Sequence, residues 1–166
     1  MKLSLIFSLM VFCFYICLAQ NIPYIKFNVN EDHTRWIKTP KGLKIYYLDK
    51  CEYETDGKIE VVLYDLNADG KPEYFIKYYE TKFLECGYAI VDGKTLCQIG
   101  DVGGKDVYVS ERRKHGFYSI ITISRASIDF ELYEYNGEYY QKTKSIHNDS
   151  GIDSLSCLID SIMKSK

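Results

Sequence analysis

The strongest constraint on this chain is a series of short runs rich in aromatic and β-branched residues, which read as strands. Runs of this kind cover 43–48, 58–64, 73–79, 83–91, 94–99, 106–110, 116–124, 128–135 and 138–142. The 16 tyrosines and 8 phenylalanines are unusually many, whereas prolines number only 3. Aromatic and β-branched side chains suit a pleated, half-buried surface.

Two dipeptides mark hairpins. Asp92-Gly93 lies between YAIV and KTLCQI, and Asn136-Gly137 between FELYEY and EYYQ. Both pairs accept positive φ at consecutive positions, as a type I′ turn requires. The second turn predicts Tyr133 opposite Tyr140. The first predicts Val91 opposite Lys94, Cys86 facing Ile99 and Cys97 facing Tyr88, so the two cysteines sit diagonally, at a separation that disfavours a bridge. Residues 20–40 read as irregular, with Trp36 an anchor into the core. Towards the C-terminus, Ile152, Leu155, Leu158, Ile159, Ile162 and Met163 recur at helical spacing. Asp153 near the start and Lys164 and Lys166 near the end suit the helix dipole. Cys157 falls on the far side of that stripe. The expected fold is α+β and mainly β: an antiparallel sheet with a C-terminal helix packed on it.

The chain opens with Lys2 and then an uncharged stretch, LSLIFSLMVFCFYICL, ending at Cys17-Leu18-Ala19. A positive start, an apolar run and small residues at the cleavage positions form an export signal. The apolar run is short for a bilayer span. Phe12 and Ile16, ahead of Cys13 and Cys17, argue against lipid attachment. Residues 1–19 are therefore expected to be a signal peptide and 20–166 a single mature domain, secreted or periplasmic, with no membrane span after cleavage. Of the 6 cysteines, Cys51, Cys86, Cys97 and Cys157 lie beyond the signal. In an oxidising compartment they read as two disulfides, with three connectivities open. A formal net charge of −2 lacks the basic footprint of a nucleic-acid binder.

The stretch with chemistry in it is Asp65-Leu66-Asn67-Ala68-Asp69-Gly70-Lys71-Pro72-Glu73, between two strand candidates. Oxygens at positions 1, 3 and 5 of a tight loop can converge on one point. Gly70 permits the sharp turn, the Lys71 carbonyl supplies another ligand, and Glu73 a further carboxylate. Hard oxygen donors in such a loop suit Ca²⁺. Pro72 removes only a donor, where a metal needs acceptors. This is not an EF-hand, because Ile76 stands where that loop needs a bidentate Glu. The nine residues resemble the calcium loops of FG-GAP and VCBS-type repeats, D-x-N-x-D-G-x-P-[DE], in Asp65, Asn67, Asp69, Gly70, Pro72 and Glu73. The resemblance implies a structural Ca²⁺ ion of low affinity held by Asp65, Asn67, Asp69, Lys71 and Glu73, in a small exported, bacterial-type protein. It covers about a tenth of the mature chain, in a single copy that cannot build the family's propeller.

Glu111-Arg112-Arg113-Lys114-His115-Gly116 forms a basic turn between strand candidates, a place to receive an anionic glycan, a phosphate or an acidic protein, or simply a solvated loop that guards sheet edges. GDVGGK at 100–105 lacks phosphate-loop spacing, and its glycines are expected in turns. His33, His115 and His147 are scattered, and no nucleophile or metalloprotease motif is present. Asn148-Asp149-Ser150 is a glycosylation sequon. The functional expectation is a non-catalytic, calcium- and disulfide-braced binding module for an extracytoplasmic protein or glycan, of inhibitor or adhesion type. A small extracytoplasmic hydrolase and a structural subunit of an exported assembly are the alternatives.

Overall fold

The computed structural model describes residues 25–29, 34–45, 51–52, 54–80, 85–104, 106–123, 129–147 and 155–164. The expected signal peptide, the sequon, His33, Ile152, Asp153 and Lys166 lie outside the described residues. Among the described residues, twelve strands and one helix follow in chain order: β1 (Ile25–Asn28), β2 (Arg35–Lys38), β3 (Cys51–Glu52), β4 (Glu54–Thr55), β5 (Lys58–Tyr64), β6 (Glu73–Glu80), β7 (Glu85–Val91), β8 (Gln98–Gly103), β9 (Asp106–Lys114), β10 (Phe117–Ile123), β11 (Asp129–Tyr135), β12 (Tyr140–His147) and α1 (Leu155–Lys164).

The strands form two antiparallel sheets. One runs β1-β9-β10-β11-β12. The other runs β2-β5-β6-β7-β8, with β3 on β6 and β4 on β5. Each is a four-strand meander with an early strand added beside its first member. The fold is α+β and mainly β, as the runs of aromatic and β-branched residues predict. The repeat is one of topology, with no repeat in sequence behind it.

Period-two alternation explains the layers. Val62, Phe75, Tyr88, Ile90 and Val102 of one sheet meet Val107, Val109, Tyr118, Ile120 and Tyr140 of the other in a shared core. The opposite faces are covered separately. Ile159 and Ile162 of α1 pack on Tyr108, Ile121, Phe130 and Leu132. Ile37, Leu43 and Ile45 pack on Ile59, Val61, Ile76, Ala89 and Val91. Leu43 to Ile45 is thus a strap and not the strand expected at 43–48. Its one ladder contact is a parallel bridge between Lys44 and Cys97, and residues 46–50 lie outside the described residues.

The segment expected to be irregular supplies β1 and β2. Trp36 is no core anchor, being 57% exposed. In β2, Ile37 takes the covered face beside Ile59. Alternation then turns Trp36 outward on an edge strand.

Both expected hairpins form, with other turns and other registers. In β7–β8, Val91 pairs with Gln98 and Tyr88 with Val102, so the connection spans 92–97 and Cys97 precedes the strand. The Asp92 carboxylate accepts the N–H groups of Lys94 at 3.0 Å and Thr95 at 2.6 Å, which winds the chain into a longer loop. Gly93 is needed for space: a Cβ there would stand 2.1 Å from the Pro72 carbonyl oxygen. In β11–β12, the Asn136 side chain accepts from Glu138 and Tyr139, both at 2.9 Å. That moves the turn on, so Tyr135 faces Tyr140 and Tyr133 faces Lys142. Among the described residues, the turns with positive φ at two consecutive positions are Asp56-Gly57 and His115-Gly116.

Gly100 and Gly103 lie inside β8 and not in turns. Gly100 lets the sheets approach, since a Cβ there would be 2.8 Å from Tyr140 Cβ. Cys97 carries a free thiol, and the side chains of Cys51, Cys86 and Cys157 lie outside the described residues. Among the described residues no helix is long and apolar enough to cross a membrane.

Candidate functional site

Four connections gather at one end of the sandwich: 65–72, 92–97, 115–116 and 136–139. The Tyr118 N–H donates to the Leu66 carbonyl at 2.8 Å, which ties the first to the start of β10. Lys94 of the second reaches Asp69 of the first at 2.5 Å. Phe117, next to the third, stacks on Tyr135, which leads into the fourth, with ring centroids 4.2 Å apart.

The 65–73 loop brings all five predicted metal ligands into one turn, where hydrogen bonds from within the loop engage the side chains of Asp65, Asn67, Asp69 and Glu73. Asp65 accepts the N–H groups of Asp69 at 3.1 Å and Gly70 at 2.8 Å. Asn67 Oδ1 accepts from Asp69 N–H at 3.0 Å, and Asp69 Oδ1 from Lys71 N–H at 2.9 Å. The Lys94 ammonium holds the Asp69 carboxyl below its usual range. Glu73 is 1% exposed. Its Oε2 accepts the Leu66 N–H at 2.6 Å and its Oε1 the Asn67 amide at 3.2 Å. Burial pushes the Glu73 carboxyl up to about 7, and Asp65 and Asp92 add to the rise. Left-handed φ at Ala68 and Gly70 closes the turn. Among the described residues no group of three or more His, Cys, Asp or Glu side chains converges as a metal site requires. As arranged, the loop's carboxylates are directed at their own backbone and at Lys94, and an ion would have to compete with Lys94 for Asp69.

The neighbouring β9–β10 hairpin carries the basic run. Alternation divides its cations between two faces. Arg112 and Lys114 turn to the helix side, 3.0 Å and 2.9 Å from the carboxylate of Glu134, which is 4% exposed. Arg113 turns the other way, onto Tyr118, its cross-strand partner. Its guanidinium carbon lies 4.0 Å from the ring centroid. Lys26 of β1 approaches the same ring, with Nζ 4.8 Å from the centroid. Lys26 and Arg113 together hold the Tyr118 phenol below the usual tyrosine range. Beside them Phe27 stacks on Tyr64 at 4.4 Å, and Tyr64 meets Tyr118 edge-on at 6.4 Å.

Of these residues, the basic run was legible in sequence, but as a turn: residues 111–114 are the end of β9, and the turn is His115-Gly116 alone. Lys26, Tyr118, Glu134 and Lys94 were missed. Glu134 left a signal, as an acid in register with Phe130 and Leu132 on a buried face. Lys26 left none, because its role depends on pairing between β1 and β9. His115 sits in a turn and His147 is joined to Asp129 at the far end of β11–β12. No family model, curated protein or solved structure matches this chain.

Proposed function

We propose that this chain is an exported binding module that presents the β9–β10 hairpin, from one braced end of its sandwich, to an extracytoplasmic protein or glycan. The observation that carries this reading is the division of the hairpin's cations. Arg112 and Lys114 anchor the hairpin to buried Glu134, while Arg113 and the tip at His115-Gly116 stay exposed. A cationic surface fixed before its partner arrives loses less ordering entropy on binding. The filled interior between the sheets supports a role for surface loops.

Ca²⁺ enters this proposal as a supplementary brace and not as a cofactor. It would draw on Asp65, Asn67, Asp69, the Lys71 carbonyl and Glu73, and it must displace Lys94 from Asp69. That competition favours the millimolar affinities of extracellular calcium modules. Lys94→Gln removes the competing ammonium, so Ca²⁺ should raise the melting midpoint of that variant more than that of wild type. A Lys94→Gln protein that ignores millimolar Ca²⁺ would remove the ion from the account.

The binding role is tested by a photo-crosslinking residue placed at His115, and separately at Asp56 in the β4–β5 turn, in protein exported by living cells. Adducts from position 115 and none from 56 are expected. Absence of adducts at 115, or equal labelling at both turns, would contradict the reading.

A further inference from the structure

We propose that Lys26, Arg113 and Tyr118 form an oxyanion site for acidic sugars of an extracytoplasmic polysaccharide, an inference that rests on the binding-module reading above. Three observations converge on it. The two cations come from distant parts of the chain, β1 and β9, yet meet over one ring, at 4.8 Å and 4.0 Å from its centroid. Both are exposed, and among the described residues neither has a carboxylate partner. Their neighbours Arg112 and Lys114 are already engaged by Glu134. Positive charge held together with no carboxylate partner among the described residues is charge available to a ligand.

The donor set defines the anion. A guanidinium offers a planar fork to a carboxylate or sulfate, an ammonium offers a point charge, and the phenol adds a third donor. The half-buried rings of Phe27 and Tyr64, stacked on each other, lie beside the charge. A ligand that uses both needs an oxyanion fixed to a ring with an apolar face. Uronates and sulfated sugars have that form. Of the acidic loop's carboxylates, Asp69 is neutralised by Lys94, and Asp65 is directed at the N–H groups of Asp69 and Gly70.

The test is calorimetric titration of the mature protein with polygalacturonate, dextran sulfate, neutral dextran and polyglutamate at low and moderate salt. The proteins are wild type, Lys26→Gln/Arg113→Gln, Tyr118→Phe, and a control, Arg35→Gln/Lys38→Gln, that removes the same charge from β2. Thermal melts establish that each variant folds. Binding of an acidic glycan should weaken about tenfold or more in Lys26→Gln/Arg113→Gln, less in Tyr118→Phe, and hardly at all in the control. Neutral dextran should not bind. An equal loss in the control, or no binding of either acidic glycan by wild type, overturns the site. Polyglutamate bound through Lys26 and Arg113 without acidic glycan also overturns it, while leaving the binding-module reading in place. That reading fails separately, if His115 yields no adduct in cells.

Discussion

Two hairpin connections lie side by side at one end of this protein and treat their charges in opposite ways. The acidic 65–73 loop turns its carboxylates inward, onto its own N–H groups, onto Leu66 and onto Lys94. The basic β9–β10 hairpin lets buried Glu134 neutralise one face and leaves Arg113, with Lys26, on the other. The two occupy equivalent places in their sheets, each joining the first pair of a four-strand meander. A loop whose polar groups are satisfied within itself stabilises, whereas one whose charges are gathered but unpaired is equipped to bind. On the reading proposed above, the acidic loop is the brace of this end and the basic hairpin its working surface. The backbone bond from Tyr118 to Leu66 holds the surface against the brace.

The comparison breaks most visibly at Leu66, which is fully buried between the sheets. Leu66→Ala should cost about 4 kcal/mol by loss of packing and an unfilled cavity, read as a shift in the denaturant midpoint. A loss below about 1 kcal/mol would mean that the loop is not docked.

Glu73 comes next. Its folded-state value of about 7 stands above its ordinary 4.5, so folding favours the protonated form. Its contribution is complete below pH 4.5 and is lost as pH rises through 7. Between those limits stability should fall by roughly 3 kcal/mol from this group. Asp69 acts with the opposite sign, because its value is lowered: its contribution is present at neutral pH and lost in acid. Glu73→Gln should therefore flatten the stability profile between pH 5 and 8 and leave the acid limb in place. An unchanged slope would separate Glu73 from the effect.

Glu134→Gln should cost about 1 kcal/mol, since its two partners are half-exposed and screened. It should also increase proteolytic cleavage after Arg112 and Lys114. The smallest effect on stability is expected from Lys26→Gln/Arg113→Gln, which should melt close to wild type while losing polyanion binding. A large drop in its melting midpoint would make those cations part of the brace and erase the contrast.

Much of the fold is legible in the residues themselves. Runs of aromatic and β-branched residues identify most strands, and helical spacing identifies α1, but the single sheet expected is divided into two in the structure. Register is less so. Asp92 and Asn136 were read as turn residues for their tolerance of positive φ. In the structure their side-chain oxygens capture N–H groups two and three residues ahead, which relocates both turns and every pair beyond them. Trp36 shows a second limit. It is expected to anchor in the core, yet its outward place on an edge strand is decided by Ile37, which takes the covered face. The candidate site was half legible. Arg113 stood in an evident basic run, but its partner Lys26 and platform Tyr118 are brought to it by strand pairing that no local pattern announces.

The most direct test of the brace is amide hydrogen exchange of the mature protein in EDTA. The account predicts slow exchange at Leu66, Gly70 and Lys71, whose N–H groups are bonded to Glu73, Asp65 and Asp69, and fast exchange at the His115-Gly116 tip. Protection of the loop that appears only when Ca²⁺ is added would contradict it, because an ion and not the loop's own carboxylates would then hold this end together.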